Sequence, residues 1–164
     1  MSSLFAFPNP VNEKAARVVA GAVCLISIAT LASGDSWIAA VLAAGFVART
    51  LTGPTLSPLG QIATRIVAPR LGAPNHVPGP PKRFAQAIGA VFTIAIALTA
   101  LVAHDDTVAD VLLVAMIAAS ALESALAFCV GCRVFSLLMR AGVIPADVCA
   151  ECADIGLRRA TPAV

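Results

Sequence analysis

The sequence predicts an all-α integral membrane protein with four transmembrane helices, both termini on the cytoplasmic side, and a short amphipathic helix in the loop between spans two and three. Three observations lead there. Of the 164 residues, 59% are apolar and 12% charged, and the mean hydropathy is +0.92, whereas a soluble domain averages about half apolar and about a quarter charged. The apolar residues gather into four blocks separated by short polar or proline-rich stretches, the pattern of membrane spans. All eleven lysines and arginines fall into three segments that alternate with two short acidic loops.

Span one covers about 15–33 (AARVVAGAVCLISIATLAS), close to the roughly 20 residues that cross a bilayer core. It is preceded by MSSLFAFPNPVNEK, which carries two prolines, and its small-residue stretch continues into more apolar sequence. It therefore reads as an uncleaved span and not as a signal peptide. Span two covers about 37–51 (WIAAVLAAGFVARTL). It is short, with Trp37 suited to one membrane interface and Arg49 expected to snorkel from the other end.

The thirty residues that follow (GPTLSPLGQIATRIVAPRLGAPNHVPGPPK) hold seven of the eleven prolines. Within them Leu59, Ile62, Ile66 and Val67 recur at helical spacing, which predicts a short helix lying on the membrane surface. The remainder, APNHVPGPPK, reads as an extended, stiff connector. Span three covers about 84–103 and span four about 108–130, the latter with Asp110 near one end and Glu123 inside. Small residues fill all four blocks and let helix backbones approach closely, so the spans should form one compact bundle. The chain 1–164 reads as a single integral membrane domain without repeats, ending in a tail from 131 to 164.

Cations accumulate on the cytoplasmic side of membrane proteins. Lys14 and Arg17 flank the start of span one; Arg49, Arg65, Arg70, Lys82 and Arg83 lie in or beside the long loop; Arg133, Arg140, Arg158 and Arg159 lie in the tail. The other loops, SGDS and HDDT, carry no cation. The expected location is the cell membrane, multi-pass, with lipid as the bulk partner. The net charge of +2 needs no nucleic acid to explain it, because no aromatic residues interleave the cations and tyrosine is absent.

Four of the five cysteines lie in two C-x2-C pairs, Cys129/Cys132 in FCVGC and Cys149/Cys152 in VCAEC. On the cytoplasmic side the compartment is reducing, which favours metal binding, transient redox chemistry or sulfur transfer over structural disulfides. If span four runs on as helix to about residue 141, Gly142 caps it and Pro145 opens a new short helix. Cys132 then lies about 15 Å along the helix from Gly142, a distance that the chain to Cys149 can return. A four-thiolate zinc site, or an iron–sulfur cluster on the same ligands, is one use of such a cluster. The preferred use is thiol–disulfide or sulfur exchange with a soluble partner, for which a thiolate must be exposed and stabilised. Arg133 beside Cys132, against Asp147 and Glu151 around the other pair, points to the first pair as the better nucleophile.

Cys24, in the middle of span one, reads as core packing. Glu123 is an intramembrane acid whose charge costs on the order of 3 kcal/mol to bury there. It is either a proton-carrying site or a protonated group bonded to a neighbouring helix, and it suits an accessory or transport protein as a third functional class. At about 9 Å of helical rise from Cys129 and elsewhere on the wheel, it is not placed in the cysteine centre. His76 and His104 read as solvated loop residues.

Five stretches, FPNPVNEKAARV (7–18), RTLTGPTLSPLGQIA (49–63), PGPPKRFAQAIG (78–89), FCVGCRVFSLL (128–138) and GVIPADVCAECADI (142–155), together resemble the actinobacterial membrane proteins grouped as domain of unknown function 4395. The resemblance implies a small multi-pass membrane protein with both cysteine pairs and a thioredoxin-like or sulfurtransferase protein as partner. It also implies that Asn9, Asn12, Glu13, Lys82 and Arg83 share one face with the cysteines, either lining a site or serving as helix caps and lipid anchors.

Overall fold

The computed structural model describes residues 7–153 and is almost entirely helical. A two-residue strand β1 (Val11–Asn12) leads into α1 (Glu13–Ser33), with α2 (Trp37–Thr52) following a short turn. Asn12 caps α1 by accepting from the Lys14 amide at 3.0 Å, and Gly34 closes it in the left-handed region at φ 68°. The long loop does contain a helix, as α3 (Pro58–Ile62), a π-helical turn (Ala63–Val67) and α4 (Ala68–Arg70). The widened turn stands immediately before Pro69, whose missing N–H and ring do not fit a regular helix interior. Small residues Gly60, Ala63 and Ala68 face the bundle, and Ile62 and Ile66 remain half exposed.

Two features of the loop differ from expectation. His76–Val77 forms a strand, β2, antiparallel to β1, with Val11 opposite Val77 and Asn12 opposite His76. The third long helix, α5 (Gly79–Leu101), also starts five residues earlier than the apolar block. Pro80 and Pro81 occupy its first turn, where an amide has no intrahelical partner to lose.

Beyond a turn, α6 (Asp106–Leu126) is capped by Asp105, which accepts from the Val108 amide at 3.1 Å. It stops at Leu126, so the uninterrupted helix expected to about residue 141 is not present. Ala127 takes the left-handed conformation at φ 55°, the Phe128 amide turns back to the Leu122 carbonyl, and a separate helix α7 (Val130–Arg140) begins. Arg17 of α1 donates to the Ser124 and Ala125 carbonyls at 2.9 and 3.0 Å, satisfying acceptors that a helix end leaves bare. Gly142, at φ 75°, follows α7 as expected. Pro145 precedes a 3₁₀ turn (Ala146–Cys149) that runs into α8 (Ala150–Ala153). Arg158 and Arg159 lie outside the described residues.

The main interfaces pair α1 with α6 and α2 with α5, while α5 also packs on α6 and α7. Val23, Leu42, Phe46, Ile96, Leu113 and Met116 form the core. Three helices, α1, α5 and α6, are long and apolar enough to cross a membrane. α2 is a shorter apolar helix of 16 residues, about 24 Å long against a hydrocarbon core of about 30 Å. Only 33%, 28% and 22% of the apolar windows of α1, α5 and α6 are buried inside the protein. The apolar faces therefore turn outward, as Leu25, Val41, Val91, Leu98 and Val111 do, and are consistent with contact with a bilayer.

Candidate functional site

The break between α6 and α7 determines the setting of the first cysteine pair. Cys129 is extended (φ −87°, ψ 108°) and forms the N-cap of α7, with its carbonyl accepting from the Arg133 amide at 3.1 Å. Cys132 lies within the first turn of α7, so the two sulfurs meet at a helix N-terminus, a setting that stabilises a thiolate. Cys129 is buried at 7% exposure and Cys132 is half-buried. Both lie beyond the end of α6.

Hydrogen bonding from the Cys132 thiol holds the Cys129 thiol below its usual range, with help from the Lys82 ammonium and against burial and the Glu123 carboxylate. The same hydrogen bond, together with burial, pushes the Cys132 thiol well up. The two thiols are thus unequal, Cys129 being the more acidic. Arg133 is turned elsewhere, with its guanidinium 5.1 Å above the Phe128 ring.

Gly131 sets the depth of α7. A Cβ on this residue would stand 2.6 Å from both Cα and Cβ of Ala85, so only glycine lets α7 approach α5 this closely. Phe84 and Phe135 meet edge-on at 5.6 Å along the same interface.

Glu123, near the end of α6, pairs with Lys82 in the first turns of α5, Oε1 to Nζ at 2.8 Å, with the side chains 18% and 9% exposed. It also shares the wall of a cavity of about 580 Å³ with Cys129, Phe46, Gly89, Met116 and Val134. Glu123 therefore belongs to the surroundings of Cys129, contrary to the expectation from helical rise. That expectation assumed one straight helix, and the turn at 127–129 brings the chain back. The signal for Lys82 was in the sequence, since an intramembrane acid seeks a cation and Lys82 opens the span beside it.

The second pair lies on the 3₁₀ turn and α8, with Cys149 buried, Cys152 half-buried and the two joined as a disulfide. Val148 of this turn joins Phe84 and Phe135 in the wall of a cleft of about 410 Å³. Among the described residues, no three His, Cys, Asp or Glu side chains gather as a ligand set. In this arrangement the Cys149 and Cys152 sulfurs are bonded to each other and not gathered with Cys129 and Cys132.

Other residues serve the framework. Asn9 accepts from the Gly79 amide at 2.8 Å, Asn12 caps α1, and Glu13 accepts from the Asn75 side chain. Arg83 donates to the Thr50 carbonyl at 3.1 Å, and the Cys24 thiol reaches the Ile117 carbonyl at 3.8 Å between α1 and α6. His76 and His104 are exposed. Arg49 does not snorkel. It is 5% exposed and points inward, donating from Nε to Gln86 Oε1 at 3.0 Å and from Nη1 to Ser57 Oγ at 3.2 Å.

No curated protein and no solved structure matches the chain. A family model described as a domain of unknown function, DUF4395, matches residues 11–140, taking in all the long helices, Lys82, Glu123 and the Cys129/Cys132 pair and ending ahead of Cys149. The match covers well over half of the sequence, and the chain belongs to the DUF4395 family.

Proposed function

We propose that Cys129 and Cys132 are a redox dithiol that exchanges with the disulfide of a soluble thioredoxin-like partner, or takes the sulfane sulfur of a sulfurtransferase persulfide with the partner's thiolate leaving. The observation that carries the reading is the placement of the pair, two free thiols with Cys129 at the N-cap of α7 and Cys132 in its first turn, where the Cys132 hydrogen bond lowers the proton affinity of Cys129 and raises that of Cys132. In exchange, a partner disulfide reaches Cys129, itself only 7% exposed, by way of the cavity that it lines, and the Cys129 thiolate attacks it and displaces one partner sulfur. Cys132 then attacks Cys129, releasing the second partner sulfur and closing a Cys129–Cys132 disulfide. Two electrons pass to the partner, and solvent balances the protons. The Cys149–Cys152 pair, disulfide-bonded beside a reduced pair, gives the chain a second dithiol couple of the same spacing.

The setting we propose is the plasma membrane, with four spans that include α2 and with both termini and both cysteine pairs on the cytoplasmic face. A redox titration in glutathione buffers, read by maleimide mass-tagging, tests the chemistry. Cys129 and Cys132 should oxidise together in a two-electron step, at a potential within roughly −270 to −180 mV. Persistence of both as free thiols in fully oxidised buffer would remove the proposal.

A further inference from the structure

Among the described residues Arg49 is a buried cation without an anion. Its guanidinium lies 4.4 Å from the centroid of the Phe46 ring, its two hydrogen bonds go to the neutral acceptors Gln86 and Ser57, and no described residue partners Nη2. No carboxylate pairs with it among the described residues. A charge removed from water in this way is tolerated when a counter-charge reaches it.

Arg49 lines a cavity of about 260 Å³ between α1, α2, α3 and α5, under the β1–β2 pair. Asn12, Thr64, His76, Lys82 and Gln86 supply its other polar lining, and no Asp or Glu lines it. Of the acids around it among the described residues, Glu123 is bound to Lys82 on the wall of the neighbouring cavity, and Glu13 accepts from the Asn75 side chain. Among walls otherwise of apolar residues, glycine and proline, an unpaired guanidinium, the Glu123-paired Lys82, an imidazole and neutral polar groups offer the recognition chemistry of a tetrahedral oxyanion, which a guanidinium binds well.

We infer that the Arg49 cavity binds a phosphate- or sulfate-type oxyanion, with Arg49 Nη2 as the principal donor and Lys82, which stays paired with Glu123, as a further N–H donor. The site shares Lys82 with the surroundings of Cys129, but the binding reading stands whether or not Cys129 exchanges disulfides. Its ligand is either a free inorganic oxyanion or the phosphate of an anionic lipid headgroup.

The test uses the full chain purified in neutral detergent and in phosphatidylcholine nanodiscs with and without phosphatidylglycerol. For a free ion, inorganic phosphate or sulfate should raise the unfolding midpoint saturably, by about 3–5 °C at ten times the dissociation constant. Radiolabelled sulfate or phosphate should then bind at about one per chain. For a headgroup, native mass spectrometry should find one retained phosphatidylglycerol, and nanodiscs containing it should block the inorganic ions. Arg49→Gln should abolish whichever response is seen. Arg49→Lys, which keeps the cation without the fork, should weaken it about tenfold or more and controls for folding. The inference is overturned if wild-type protein binds neither class of ligand, or if a folded Arg49→Lys variant binds as tightly as wild type.

Discussion

At Cys129, three neighbours act on one sulfur in known directions: the Cys132 thiol and Lys82 lower its proton affinity, and Glu123 raises it. The sign of each effect follows for reactivity, because a thiolate alkylates and a thiol does not. Iodoacetamide labelling of Cys129, read by mass spectrometry, should reach half its maximal rate below the ordinary thiol value of about 8.5, with Cys132 unreactive there. Cys132→Ser replaces a weak S–H donor with a hydroxyl and should leave the Cys129 profile low, whereas Cys132→Ala removes the donor and should move the profile upward. Lys82→Met removes an attraction and should slow labelling at neutral pH, while Glu123→Gln removes a repulsion and should speed it. Equal effects of the two substitutions would show that the ion pair acts through folding alone. Lys82→Met also leaves a mostly buried carboxylate unpaired, at a cost of roughly 3 kcal/mol in denaturant unfolding. Adding Glu123→Gln should restore much of that loss, since it removes the stranded charge.

The elements that frame the site are set by close approach. The contact of α7 with α5 depends on Gly131, where a methyl group would collide with Ala85 from two sides. Gly131→Ala should therefore destabilise by about 1–3 kcal/mol, the usual range for overpacking, through a shift of α7 away from α5. The same shift alters the turn that holds Cys129 and Cys132 together, so the pH profile of Cys129 labelling should rise along with the loss of stability. A surface control such as Ser136→Ala, which removes only the hydrogen bond to the Cys132 carbonyl at 3.0 Å, should leave that profile in place. A wild-type labelling profile in folded Gly131→Ala would separate the sulfur asymmetry from the seating of α7.

Across the whole molecule, legibility followed the range of the interaction. Hydropathy placed α1, α2, α5 and α6 because each apolar run is a local property, and Gly142 was readable as the left-handed residue that follows α7. The turn at 127–129 was not readable, because AFC contains no glycine or proline and the apolar run crosses it without interruption. Arg49 was misplaced because its partners Gln86 and Phe46 come from the tertiary pairing of α2 with α5, whereas its sequence position resembles any basic residue at a span end. Whether α2 crosses is a question for the whole chain, since its 16 residues are short for a bilayer. Arg49 favours crossing, because its guanidinium is held by Gln86 and Ser57 inside the bundle. Single cysteines at Asp35 and Thr55, in a chain with the native cysteines replaced by serine, flank α2 on either side. With four spans and cytoplasmic termini, an impermeant maleimide should modify Asp35→Cys in intact cells and Thr55→Cys only after lysis. If both react from outside, α2 is a re-entrant or interfacial helix; the bundle then has three crossings, and an odd number of crossings leaves the two termini on opposite sides of the membrane.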